Sequence, residues 1–521
     1  MWFITRDRGE DSSVVTPEGE KITGTGRSGA KANEGSTTNV VVRGLTCRLS
    51  SRCTIWPRVE RDRDVVERAK RQRNRGSSRC SALRYVVSNN GTGPQSAAMC
   101  DTMLAMYALS NSQREMLGLQ PVESNWSVKE LDGDSSRPAS LVYFQDDTLI
   151  KQVVSSGDVY RETQYAEQTR NRDTLLPKTG GGRPERLTAS ALERRKPIGV
   201  YFYADSKAHI VIANHTSQTT FYDSSWEHTP SDSKIDISEL VQDFLPRVKS
   251  DVAAQLRTFR DARRRHVTFA PGDFFSFRIG LREYAYGRVL VDIDQLKRRG
   301  AISKTHGLAY IMTKPVLVTL YGFVAASRAV QLNRLQDAAI LPSDYIMDNV
   351  LYYGEYEVFE HAPIRVEELD LPMSYGKTLA AGSDNVYFQW GLIHKEIPAR
   401  RFNKYLSADN ELLPKGNPSR LVNNPYSYHG VGFRTRYTGH DIREIAAGKP
   451  HDFDKHGGYK GRFDLRNPRN AHIRAEIMDA FGLKPSLGYV ENCSLTSTPE
   501  PSVLLSILNN NQRNHITCHS S

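Results

Sequence analysis

The chain has 521 residues, 39% of them apolar and 25% charged, with a formal net charge of +11. It is too long for one ordinary domain and apolar enough for real cores, yet no run nears the roughly 18 apolar residues of a membrane helix. The opening Met1-Trp2-Phe3-Ile4, followed by charges, lacks the apolar stretch and cleavage site of a secretory signal, so a cytoplasmic protein is expected.

Residues 1–98 hold 18 Lys and Arg against 10 Asp and Glu, so +8 of the net charge sits at one end. A basic nucleic-acid-binding domain would pattern its charge over a folded face. This segment, rich in Gly, Ser, Thr and Arg, instead reads as a disordered basic tail, or as an over-extended start ahead of Met99, Met103 or Met106. The six cysteines lie at 47, 53, 80, 100, 493 and 518, with no Cys-x-x-Cys pair, and a body free of cysteine fits a reducing compartment.

Residues 99–245 read as a first β-rich α+β module. Ser110 can cap a short helix with Gln113 three residues on, and Gly118 and Pro121 stop it. Leu141–Phe144 and Thr148–Val154 flank the turn Asp146-Asp147 in a hairpin pattern. Ile198–Tyr203, Ala208–Ala213 and Thr219–Tyr222 supply further strands. A helical stripe follows at Ile237, Leu240, Val241, Phe244 and Leu245, and 246–266 reads as a helical connector. Its Arg263-Arg264-Arg265 run reads as solvated, with phosphate contact as the other reading.

A second module spans 267–400. Phe269-Ala-Pro-Gly-Asp turns into Phe274–Ile279, and the chain returns as Tyr284–Ile293, where Gly287 predicts a bulge or a close backbone approach. Pro315–Val324 is an apolar run suited to a strand covered on both sides. Strands are also expected over Leu351–Phe359 and Val386–Ile393. Residues 401–490 form an irregular α+β extension ending in a helix at 471–481, and 491–521 a disordered tail. The fold class is α+β: two β-rich modules, the second a small twisted or barrel-like antiparallel sheet with flanking helices.

Pro271-Gly-Asp-Phe-Phe-Ser-Phe, then Tyr284-Ala-Tyr-Gly-Arg-Val-Leu, the strand after Pro315, Leu351–Ile364 and Val386-Tyr-Phe-Gln-Trp-Gly together resemble the bacterial immunity protein 26 family, over roughly 267–395. The resemblance implies an α+β domain that neutralises a toxin of a bacterial conflict system by binding it, without catalysis and without a cofactor. In one departure, the family tends to carry Trp where this chain has Tyr356.

The residues themselves offer a binding surface. From Asp337 to Asp370 nine acidic residues face one base, Arg365. A strand from Leu351 would project Tyr353, Glu355 and Glu357 to one side, and Glu360, Asp344 and Asp348 would extend the patch. Rigid aromatic area beside negative charge would dock a basic protein surface, such as that of a nuclease toxin.

The alternative is a nucleic-acid binder or metal-dependent nuclease built on His451, Asp452, His456 and His472, since imidazole and carboxylate suit transition metals. Their spacing in a Gly/Asp-rich loop fixes no ligand geometry, so no metal and no catalytic residue is assigned. His215, near Thr216, Thr219 and Asp223, reads as a strand-end histidine held by hydroxyls.

Overall fold

The structure, a computed structural model, describes residues 107–179, 181–227, 233–311, 313–378, 382–406, 424–427, 437, 439–456, 458–496, 498 and 506. The basic segment 1–98 and the alternative starts at Met99, Met103 and Met106 lie outside these residues.

Ser110 caps α1 (Asn111–Met116). Its hydroxyl accepts from the Gln113 N–H, and the Gln113 side chain accepts from the Ser110 N–H, the reciprocal box read from the sequence. A nine-stranded antiparallel sheet follows: β1 (Ser127–Leu131), β2 (Ser140–Gln145), β3 (Thr148–Ser155), β4 (Val159–Arg170), β7 (Ile198–Asp205), β8 (Ile210–Asn214) and β9 (Thr219–Asp223) neighbour one another in that order. The two-residue strands β5 (Thr174–Leu175) and β6 (Glu185–Arg186) hang from β4. The β2–β3 turn falls at Asp146-Asp147, with Asp146 at φ 54°, a left-handed conformation that aspartate tolerates.

Helix α2 (Ala189–Glu193) covers one face of this sheet. The other face packs against α3 (Ile237–Phe244) and α4 (Ser250–Arg260). Ile237, Val241 and Phe244 of α3 and Val252 and Leu256 of α4 enter the first core. Each such side chain contributes roughly 1.5–3 kcal/mol on burial. The segment expected as a connector is therefore a layer of the first module. Inside that module lies a charged cluster: Glu162 receives Arg114 Nε at 2.9 Å, Lys151 Nζ at 2.8 Å and the Tyr160 hydroxyl at 2.5 Å.

The second sheet is also antiparallel, in the order β13-β12-β11-β10-β14, from β10 (Asp273–Arg278), β11 (Tyr284–Asp292), β12 (Pro315–Ala325), β13 (Ile340–Met347) and β14 (Glu357–His361). It is an open sheet with edges at β13 and β14, so of the two forms expected, twisted or barrel-like, it does not close into a barrel. Three short helices flank it: α5 (Ile293–Arg298), α6 (Asn333–Gln336) and α7 (Asn349–Tyr352). Strand β12 is covered on both sides, as its apolar run predicts. A Cβ on Gly287 would lie 2.5 Å from Phe275 Cζ and 2.7 Å from the Thr319 carbonyl oxygen, so this glycine marks a close approach between neighbouring strands.

One face of this sheet is closed from far along the chain. Ile442 and Ile445 of α8 (Gly439–Ala446) pack with Phe275, Val318 and Leu320, and Ile445 Cγ2 would lie 2.7 Å from a Cβ on Gly322. A third, three-stranded sheet runs β15 (Met373–Lys377), β16 (Asn385–Trp390) and β17 (Ile393–Pro398). After α9 (Phe453–His456) and α10 (Gly458–Phe463), the helices α11 (Ala471–Ala480) and α12 (Tyr489–Leu495) bury Ile477, Phe481 and Cys493 against Tyr375 and Phe388 of that sheet. The expected extension is thus part of the core, and α12 reaches into the segment expected as a disordered tail.

His306 ties the second module to the third sheet. Its Nδ1 accepts from the Leu308 N–H and its Nε2–H donates to the Leu392 carbonyl, each at 3.2 Å, so the geometry selects the neutral ring. Burial holds this imidazole down at about 4. The unfolded chain takes up a proton near pH 6.5 and the folded one only near 4, so stability present above 6.5 is lost as pH falls through that window. We expect urea midpoints to drop between pH 6.5 and 4, and the drop to be shallower in His306→Gln. Equal slopes for both proteins would assign the acid sensitivity elsewhere.

Candidate partner-binding groove

Two tyrosines and a glycine shape the site. Asn349-Val-Leu-Tyr-Tyr-Gly does not continue as a strand. It forms α7, and Gly354 at φ 71° ends it by donating its N–H to the Leu351 carbonyl. Beyond this turn Tyr356 points inward, its ring 5.5 Å from Phe275 and 5.0 Å from Phe277. Tyr353 and Glu355 are left on the outside, and β14 begins at Glu357.

Facing them is the segment that leaves α4. The Val267 N–H donates to the Tyr352 carbonyl at 2.7 Å, and the Arg264 guanidinium lies 3.8 Å from the Tyr353 ring centre. His266 stacks on Tyr352 at 4.9 Å. Arg263 and Arg265 line an open groove. It is lined by Thr219, Thr220 and Phe221 of β9, by Ser276, Phe277 and Arg278 of β10, and by Tyr284, Arg328, Tyr353, Glu355 and Glu357.

Arg278 and Arg328 of the groove are held in place. Arg278 donates to the Leu281 carbonyl at 2.7 Å and to Gln255 at 2.6 Å, and lies over the rings of Phe221 and Tyr284. Burial pulls its guanidinium down to about 10. Arg328 donates to the Tyr284 hydroxyl and to Glu357, both at 3.1 Å. Burial, reinforced by Asp223 and Glu355, raises the phenol of Tyr201 in β7 to about 12.

Of the six residues proposed from the sequence, Tyr353, Glu355 and Glu357 meet in this groove. Glu360 is exposed further along β14 and accepts from the His361 N–H. Asp344 is 2% exposed, so its place in an exposed patch is corrected. The 464–467 turn, fixed by Arg466 to the Ser343 carbonyl at 2.9 Å, lies over its strand. Asp348 sits apart, half-buried, its carboxyl raised mainly by burial and lowered by Lys314. The continuous acidic ladder does not form, because a helical turn replaces the first half of the expected strand.

The sequence reading missed the cationic half of the groove. The arginine run at 263–265 was visible as charge, but nothing local places it beside Tyr353. Arg278, Arg328 and Ser276 carry no motif at all.

The stretch 451–472, expected as a loop, instead folds into α9, α10 and the start of α11. His456 Nδ1 accepts from the Asp452 N–H at 3.0 Å, its ring is buried, and His451 Nε2 meets the Tyr437 hydroxyl at 3.2 Å. Among the described residues no group of three or more His, Cys, Asp or Glu side chains is arranged to hold a metal ion. His215 stacks on Tyr201 at 4.3 Å, so a ring rather than hydroxyls holds it, and Asp223 pairs with His209 at 2.9 Å. No helix among the described residues is long and apolar enough to cross a membrane.

The groove borders a module whose sequence can be placed. Residues 270–385 match the family model of immunity protein 26. The match takes in all five strands of the second sheet and β15, agreeing with the resemblance read over 267–395. It supports an immunity-protein role in general. The nine-stranded sheet and everything after β16 begins lie outside it. No curated protein and no solved structure matches the chain.

Proposed function

We propose that this chain is an immunity-type protein that binds a bacterial toxin domain in the cytoplasm and blocks it by surface complementarity, without turnover. The observation that carries this reading is the family match across the open sheet, whose edge strand β14 borders the groove. Tyr353 offers a ring already packed against Arg264, so little freedom is lost when a partner covers it. The aromatic and charged side chains around it are of the kind that dominate protein interfaces.

The test is calorimetry of the full chain with the toxin domain encoded beside its gene, together with survival of cells expressing both. The expected result is a one-to-one complex in the nanomolar range and protection from the toxin. Tyr353→Ala should weaken binding by roughly tenfold or more, as truncation of an aromatic anchor does. Absence of both binding and protection would falsify the immunity reading.

A further inference from the structure

The charges of the groove do not cancel. Four arginines line it (Arg263, Arg265, Arg278 and Arg328) against two carboxylates, Glu355 and Glu357. Glu357 is already held by Arg328 at 3.1 Å. Arg263 and Arg265 are exposed and make no ion pair or hydrogen bond among the described residues. A second feature points the same way. Ser276 is 2% exposed and lines the groove, yet its hydroxyl has no hydrogen-bond partner. A buried hydroxyl left without a partner is costly, and an arriving acceptor relieves that cost.

We infer that this groove seats an acidic side chain of the protein partner, its carboxylate taken by the Arg263 and Arg265 guanidiniums. This rests on the immunity reading and reverses the charge expected from the sequence: the partner brings the acid and the groove supplies the base. Arginine's planar fork suits a carboxylate in two-point contact. The chemistry favours a protein acid over a nucleic-acid backbone. A run of phosphates would meet Glu355 and Glu357, whereas a single carboxylate flanked by basic or polar groups leaves both glutamates with partners. Residues 99–521 carry a net charge of only +3, once the +8 of residues 1–98 is set aside, far from the basic stripe a nucleic acid requires.

The experiment compares the wild-type chain, Arg263→Glu/Arg265→Glu and Arg263→Lys/Arg265→Lys against the same neighbour-encoded toxin domain. Both positions are exposed, so thermal melts should coincide. We expect the glutamate pair to weaken binding by about a hundredfold and the lysine pair by less, since charge remains but the fork is lost. Lysine in place of the partner's contacting acid should restore affinity for the glutamate pair. If the wild type binds and the glutamate pair binds equally well, the inference fails and the immunity reading stands. If the wild type binds no toxin domain, both fall. Should the glutamate pair instead lose affinity for a single-stranded oligonucleotide while keeping the toxin, the groove is a nucleic-acid site and the inference is overturned.

Discussion

Glu162→Gln is expected to destabilise the first module by about 3–5 kcal/mol, the usual cost of breaking a buried ion pair from one side. Glu162 is 1% exposed and, among the described residues, is the only carboxylate bonded to Arg114 and Lys151, both themselves buried. Lys151 has one other acceptor, the Gln120 carbonyl at 2.5 Å. With the carboxylate gone, two cations stay in a medium that solvates them poorly. Burial alone would raise the Glu162 carboxyl, but Lys151 and Arg114 more than reverse this and hold it below the ordinary range. Its contribution is therefore complete above the unfolded value, near pH 4.3, and is lost as pH falls through the lower folded value. Urea unfolding at pH 7, followed by a probe in the first module, measures the loss. A change under 1 kcal/mol would mean that water reaches the two cations.

Tyr356→Ala should have a comparable effect on the second module, about 3–5 kcal/mol, as for other large aromatic side chains removed from cores. Its ring lies nearly parallel to Phe275, at an interplanar angle of 8°, and also packs on Phe277, so truncation opens a cavity under β10. The functional consequence should exceed the stability loss, because Tyr356 fixes the peptide that carries Glu355 and Glu357. Toxin affinity should fall in Tyr356→Ala even at temperatures where the module stays folded, and should persist in Tyr356→Phe, which keeps the ring. Equal affinity in both variants would show that the groove does not depend on this anchor.

The elements that could be read from sequence are those whose cause is local. The Ser110 cap, the Asp146 turn and the β12 run each follow from a few neighbouring residues, and each stands where it was expected. The stretch from Leu351 to Glu357 reads as a strand because three of its seven residues are tyrosine. The opposing signal is Gly354, a residue that readily ends a helix. The remaining differences are of another kind. Ile445 against Gly322, Arg466 against Ser343 and Arg264 over Tyr353 join residues that no periodicity relates. The groove draws on five separated stretches of chain, so its acidic residues were legible and its basic ones were not.

The covering of the second sheet by α8 has a consequence for how the chain is made. The last strand of that sheet ends at His361, but the helix that closes its core spans Gly439–Ala446. At roughly 5–20 residues per second, the apolar face of Val316, Val318 and Leu320 waits on the order of 4–17 seconds on the ribosome before its cover emerges. During that interval the nascent chain presents an open apolar surface, the kind of surface that chaperones capture and that seeds aggregation at high expression. Slower growth or added chaperone should therefore raise the soluble yield of this protein, whereas changes to its purification should not.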